Sequence, residues 1–189
     1  MADNILLTVT LLLILVAVVV LMARILANMR TSSTWIKGWQ QLAHEHDLTY
    51  REMLGQSNVT GMYQGRLVNL LGSVKAGTSI LITTNNWNNN YLEIKSKGIP
   101  ASSSADPEAQ FRDGLSIESH SSEFTDHLFS GMDLPRRLAP LAIVPNLTIT
   151  LSGEELGLRT PGVIHEPQDV VAYLDMLSDL ARKIEAIRE

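Results

Sequence analysis

Five side chains between positions 118 and 127 form the densest group of possible metal ligands: Glu118, His120, Glu123, Asp126 and His127. Carboxylate and imidazole groups are ligands that Zn²⁺ accepts from proteins. If residues 123–127 were helical, Glu123 and His127 would share one face, and His120 could complete a set of three. The same residue types are also ordinary in a solvated loop at the end of a strand. No metal site is therefore predicted.

The segment from Gly72 to Ser79 has two glycines and a terminal serine at the spacing of a phosphate-binding loop. Thr78 stands where such a loop needs its lysine, and Lys75 lies inside the loop instead. A phosphate cradle also needs a helix N-terminus to follow, whereas residues 79–84 have the composition of a strand. The segment is interpreted as a hairpin loop, and no cofactor is predicted.

The other reactive residue types do not form a catalytic pattern. Ser116 lacks the G-x-S-x-G setting of a hydrolase nucleophile, and no acidic pair is marked out for acid–base chemistry. The absence of cysteine excludes disulfides, zinc–thiolate sites and cysteine nucleophiles. Arg136 and Arg137 suit either an anionic partner or an ordinary solvated surface. The chain is predicted not to be an enzyme.

The charge balance of the chain is acidic. It has 15 basic and 20 acidic residues and a formal net charge of −5. All of the basic residues and all of the acidic ones except Asp3 lie beyond Ala23. A nucleic-acid surface needs clustered basic residues to displace counterions, so nucleic acid is not a predicted partner.

The stretch from Ile5 to Ala23 contains 19 consecutive residues that are uncharged and mostly apolar. A stretch of this kind would anchor the rest of the chain in a membrane. As a helix it would reach roughly 28 Å, close to the thickness of the hydrocarbon core of a bilayer. Residues 1–30 are therefore predicted to be a transmembrane anchor with its flanks. The residues named as the membrane anchor are Ile5, Leu6, Leu13, Val16 and Val20.

A cleaved signal peptide is the competing interpretation of this stretch. It is disfavoured because no basic residue precedes the stretch, and Arg24 stands where a peptidase needs a small residue. Arg24, Arg30 and Lys37 follow the stretch, and Lys and Arg resist crossing the membrane. The prediction is a single-pass protein of the bacterial inner membrane, with its N-terminus outside and its domain in the cytoplasm.

Residues 31–56 are predicted to be an amphipathic juxtamembrane helix. Their apolar positions recur at helical spacing from Trp35 to about His46. Trp35 and Trp39 suit a bilayer interface and equally suit a face that packs on the following domain. The sequence leaves these two alternatives open.

Residues 57–189 are predicted to be a cytoplasmic α+β domain. Strands at 58–63 and 66–71 flank Gln64 and Gly65, which predicts a hairpin. Strands at 79–84 and 91–96 are expected to form the next pair. Further strands are expected at 115–118, 146–152 and 156–160, a long surface loop at 97–114, and a short helical segment at 134–143.

A final amphipathic helix is predicted to begin near Pro167, with apolar residues on one face as far as Ile187. Strands followed by a closing helix of this kind favour an antiparallel sheet with amphipathic helices packed on one face. The predicted fold class is therefore α+β.

The segment Trp39-x-x-Leu42-Ala43-x-x-His46-x-Leu48 is followed by Gly61-x-Tyr63-x-Gly65-Arg66-x-Val68, and Pro161-Gly162 precedes the last helix. In this order of segments, the chain resembles uncharacterised bacterial single-pass membrane-anchored proteins that carry a small α+β domain of unassigned function. The resemblance implies the architecture and brings no catalytic residues.

Together these features predict a non-enzymatic accessory or assembly subunit of a larger integral-membrane protein complex. Its expected partners are membrane lipid and the integral-membrane subunits of that complex. The alternative is a membrane-tethered binding module for a lipid or small apolar ligand, held between the sheet and the last helix. The candidate interface residues are Trp35, Trp39, Arg136 and Arg137.

Overall fold

The computed structural model describes residues 16–22, 34–53, 55–98, 106–131 and 133–187. Within them, eight strands form one sheet in the order β1-β2-β3-β4-β8-β7-β5-β6, and every neighbouring pair is antiparallel. The strands are β1 Thr49–Met53, β2 Gln56–Tyr63, β3 Arg66–Ser73, β4 Gly77–Thr83, β5 Leu92–Ser96, β6 Leu115–Ser119, β7 Thr148–Ser152 and β8 Glu155–Thr160.

In the described part of the chain, five helices accompany the sheet, in addition to a helical stretch at residues 16–22. They are α1 at residues 34–45, α2 Pro107–Gly114, α3 Ser122–Leu128, α4 Asp133–Leu138 and α5 Pro167–Ala186, and a 3₁₀ turn at Ala139–Ile143 follows α4. Buried and open positions alternate along the central strands, so the helices cover one sheet face and leave the other open. The predicted α+β class is confirmed.

The prediction of an N-terminal transmembrane helix is wrong for the part of the chain that the structure describes. No helix there is both long and apolar enough to cross a bilayer, which takes about 20 residues. Ile5, Leu6 and Leu13 lie outside the described residues, and Val16 and Val20 lie in the helical stretch described at residues 16–22. The predicted single-pass location in the inner membrane rested on that helix and is wrong with it.

The hairpin predicted around Gln64 and Gly65 is confirmed. Tyr63 lies opposite Arg66, and the two turn residues have φ of 48° and 78°. Two successive positive φ values suit the turn type that matches the right-handed twist of paired strands. The segment Gly72–Ser79 likewise forms the end of the β3–β4 hairpin, as predicted.

The pairing predicted between the strands at 79–84 and 91–96 is wrong. β4 pairs with β3 and β8, whereas β5 lies between β7 and β6. In this register Ile80 lies opposite Leu158 on the buried face. The β7–β8 hairpin therefore inserts between two strands that are consecutive in the sequence, and it extends the apolar face of the sheet.

The predicted surface loop at 97–114 contains a helix, α2, and only residues 99–105 of that range lie outside the described residues. Asp106 precedes the helix, and its Oδ1 accepts a hydrogen bond of 3.1 Å from the backbone N–H of Glu108. Pro107 occupies the first helical position, where the missing N–H has no intrahelical partner to lose. The polar composition of this segment therefore marks a helix start.

The segment predicted as one juxtamembrane helix, 31–56, contains both α1 and the edge strand β1. Trp35 and Trp39 of α1 are 2% and 0% exposed, so they pack on the sheet. Their rings meet edge to face at 5.5 Å, and Trp39 Nε1 donates a hydrogen bond to the carbonyl of Ile164. Gly72 lies under these rings, because a Cβ there would come within 2.8 Å of Trp39.

An ion pair, with neighbouring hydrogen bonds, attaches the end of α5 to the sheet. Arg66 donates from both terminal nitrogens to the two carboxylate oxygens of Glu185, at 2.5 and 2.7 Å. The same carboxylate accepts hydrogen bonds from the Asn85 N–H and the Thr84 hydroxyl. The contact with Arg66 lowers the pKa of Glu185 from 4.5 to about 2, with further lowering from Asn85. This network fixes the last turn of α5 on the sheet.

Candidate functional site

A groove of about 820 Å³ lies between α2, β6 and the start of α4. Helix α2, strand β6, helix α4 and the residue that follows α3 supply its apolar lining. These side chains are Phe111, Leu115, Ile117, Phe129 and Pro135. Its polar lining includes Glu108, Arg112 and Arg136. The volume is within the range of roughly 300–1,000 Å³ that small-molecule sites occupy.

The apolar wall of this groove is an extension of the protein core. Phe111 and Phe129 have ring centroids 5.2 Å apart, with an angle of 55° between the ring planes. Both rings and Ile117 are only partly buried, although they pack against the core. Apolar side chains left partly open in a concave site are the usual lining for an apolar ligand.

Two local features hold α2 and α3 in position around the groove. Gly114 ends α2 against the 3₁₀ turn, where a Cβ would lie 2.4 Å from the Cβ of Ala142, so only glycine permits this approach. Ser121 precedes α3, and its hydroxyl accepts a hydrogen bond of 3.1 Å from the Phe124 N–H. These contacts fix the end of α2 and the start of α3, and they thereby help to position the rings of Phe111 and Phe129 in the groove wall.

The residues considered as metal ligands do not come together. Among the described residues, no group of three or more His, Asp or Glu side chains is placed to hold a metal ion. His120 stacks against the ring of Tyr91 at 5.0 Å, and Glu118 lies opposite Glu93 across the β5–β6 pair.

The four candidate interface residues have different environments. Trp35 and Trp39 belong to the core, so of the two alternatives they adopt the packing role. Arg136 lines the groove, and Arg137 forms an ion pair with Asp179 of α5.

The groove residues Phe111, Ile117 and Phe129 are not among the candidates that the sequence pattern indicates. A signal for one wall was present, because Asp106 followed by Pro107 is typical of a helix start. That signal would have placed Phe111 on a helix instead of in a loop. Nothing in the local sequence joins Phe111 to Phe129, which approach one another only through the tertiary fold.

Across the residues that the structure describes, the fold and the groove define an α+β architecture with one eight-stranded antiparallel sheet, helices on one face and a concave apolar site at one end. Neither a protein-family model nor a curated protein matches the chain.

Among solved structures, the chain is similar to the mycobacterial trehalose monomycolate transport factor A, TtfA, with a TM-score of 0.58 and 12% sequence identity. The match covers 82% of this chain and 96% of that one. At this identity the similarity shows a shared fold alone.

Proposed function

We propose that this chain is a non-enzymatic binding protein whose groove between α2 and α4 holds an amphiphilic, lipid-like ligand. The observation that carries the proposal is the partly open apolar wall of Phe111, Ile117 and Phe129, bordered by charged side chains. An apolar chain would cover these side chains, and a polar group would remain at the charged border. The alternative of a binding module for a lipid or small apolar ligand is thus retained as a proposal. The ligand is placed between α2 and α4 instead of between the sheet and the last helix, and membrane tethering is not part of this proposal.

The name of the similar solved structure supports the proposal of an amphiphilic ligand. That protein is called a trehalose monomycolate transport factor. The groove offers apolar area for such a ligand, and we propose the ligand class from the groove itself.

The length of the ligand's apolar chain provides the first test. Each buried methylene contributes about 0.8 kcal/mol, so four more methylenes strengthen binding by up to roughly 200-fold. We expect the full chain to bind dodecyl maltoside more tightly than octyl maltoside by about tenfold or more when both are titrated calorimetrically below their micelle concentrations. Equal affinities would contradict an apolar groove site.

A matched pair of variants then locates the site. Ile117→Gln places an amide on the groove wall at nearly constant size, and we expect dodecyl maltoside affinity to fall by about tenfold. Ile143→Gln makes the same change at an isoleucine that is 46% exposed in the 3₁₀ turn, and we expect no effect there. Circular dichroism establishes that both variants fold. Equal losses in the two variants would contradict the proposal.

The sequence-derived role of accessory subunit in a larger protein complex is the second candidate. The open face of β2, β3 and β4 favours it, because its outward side chains are all uncharged and include Met62 and Leu67, which are 59% and 55% exposed. On this same face, Asn58 Oδ1 and Asn69 Oδ1 have no hydrogen-bond partner within the described residues. A protein surface with apolar side chains and amide donors would fit this face.

Light scattering and native mass spectrometry of the purified full chain test this second role. We expect a stoichiometric complex of this chain with a co-purified protein. The double variant Met62→Glu/Leu67→Glu is expected to dissociate this complex, and Ser152→Glu, on β7, is expected to leave it intact. A monomer in every preparation would contradict it.

A further inference from the structure

A second groove, of about 710 Å³, lies between α4 and the C-terminal half of α5. Its charged lining consists of Asp133, Arg136, Arg137, Asp179, Arg182 and Lys183. Four cations therefore face two carboxylates in one concave site. The whole chain has a net charge of −5, so this positively charged site differs in sign from the chain as a whole.

Asp179 is shared between two arginines. Its Oδ2 accepts from Arg137, and its Oδ1 accepts from Arg182 at 2.8 Å. One negative charge thus holds two guanidinium groups close together, and each of these presents several N–H donors besides the one it uses here. Arg137 and Arg182 remain 56% and 65% exposed, so they are accessible to a ligand.

Lys183 follows Arg182 on α5 and is not part of an ion pair within the described residues. Guanidinium groups held side by side and a nearby ammonium group are the donors that bind phosphate, sulfate or carboxylate. The positive surplus therefore fits an anionic group.

Arg136 connects this basic cluster to the ligand groove, because it lines both grooves. A molecule with its apolar chain against Phe111 and Phe129 would thus have its polar end beside α4. We propose that the ligand class is an anionic amphiphile, whose charged head group binds Arg137, Arg182 and Lys183. This inference rests on the proposed function and specifies the head group.

Titration calorimetry of the full chain with three probes tests the inference: dodecyl phosphate, dodecyl maltoside and inorganic phosphate. The first two share an apolar chain and differ in head-group charge. We expect dodecyl phosphate to bind more tightly than dodecyl maltoside by about tenfold, and this preference to shrink as salt screens the charges. We also expect dodecyl phosphate to bind far more tightly than inorganic phosphate.

The double variant Arg182→Gln/Lys183→Gln removes two of the cations. Arg51→Gln/Lys75→Gln, the matched control, removes two exposed cations of β1 and the β3–β4 turn that line neither groove. We expect only the first pair to weaken dodecyl phosphate, by about tenfold, and to leave dodecyl maltoside unchanged. An equal loss for both probes, or an equal affinity of the wild-type chain for both, would overturn the head-group inference.

The inference and the proposed function fail in distinguishable ways. Binding of dodecyl maltoside without any preference for the phosphate overturns the inference and leaves the groove proposal standing. Equal affinities for inorganic phosphate and dodecyl phosphate, with no binding of dodecyl maltoside, would show a site for free phosphate and would overturn both.

Discussion

Replacing Glu185 by glutamine tests how the end of α5 is held on the sheet. The carboxylate accepts two short hydrogen bonds from Arg66, and it also accepts bonds from the Asn85 N–H and the Thr84 hydroxyl. The variant Glu185→Gln keeps the size of the side chain and removes its charge. It therefore measures the electrostatic contribution of this attachment.

The pKa of Glu185 sets the magnitude and the pH dependence of the stability that the variant is expected to lose. A fall from 4.5 to about 2 corresponds to at most about 3 kcal/mol of stability at neutral pH. The side chain is 24% exposed, and solvent screening reduces the expected value to roughly 1–2 kcal/mol. Because the folded pKa is the lower one, this stability is fully present above pH 4.5 and is lost as the pH falls towards 2.

Urea unfolding of the full chain, followed by tryptophan fluorescence, measures the effect at pH 7 and at points from pH 5 to pH 2. We expect Glu185→Gln to lower the free energy of unfolding by roughly 1–2 kcal/mol at pH 7 and to converge with the wild type near pH 2. Glu154→Gln, an exposed carboxylate in the β7–β8 turn, is the matched control. Equal stability of Glu185→Gln and wild type at pH 7, or a difference that persists at pH 2, would refute the reasoning.

Three further changes of stability can be followed by the same unfolding assay. Gly72→Ala is expected to cost about 1–3 kcal/mol, because the new Cβ meets the ring of Trp39 at 2.8 Å, whereas Gly162→Ala in open space is expected to be neutral. Tyr63→Phe is expected to cost about 1 kcal/mol through loss of its 2.7 Å hydrogen bond to Asp175. Ser178→Ala is expected to be neutral or to stabilise by up to about 1 kcal/mol, because the hydroxyl is buried in α5 without a hydrogen-bond partner in the described part of the chain. A stable Gly72→Ala, an unchanged Tyr63→Phe or a destabilised Ser178→Ala would contradict the packing described.

The features that could be predicted from the sequence are local ones. The β2–β3 hairpin followed from two turn residues, Gln64 and Gly65, that accept positive φ. The last helix followed from apolar positions at helical spacing, beginning at Pro167. Each of these signals lies within one stretch of the chain, so no knowledge of distant partners was needed.

The order of the strands could not be predicted in the same way. Consecutive strands are usually neighbours in a sheet, and on that rule β4 and β5 would pair. The β7–β8 hairpin separates them because Leu156 and Leu158 complete the buried row beside Ile80 and Ile82. This competition between distant apolar strands depends on packing, which periodicity alone does not encode.

The groove escaped prediction for a similar reason. The local composition predicts a loop around Phe111, because the residues before it are rich in serine, proline and aspartate. Its contact with Phe129 depends on the position of α2 against the 3₁₀ turn, which Gly114 makes possible. The sequence marks Arg136 as a candidate, but its position between two grooves depends on the tertiary structure.

Photolabelling of the full chain tests the central claim most directly. The probe is a dodecyl phosphate that carries a diazirine at the end of its apolar chain, and mass spectrometry locates the label. The account predicts one label per chain, attached within α2, β6 or the segment around Phe129, and displaced by unlabelled dodecyl phosphate. Labelling of the open sheet face around Leu67, or labelling that excess unlabelled probe does not displace, would contradict it.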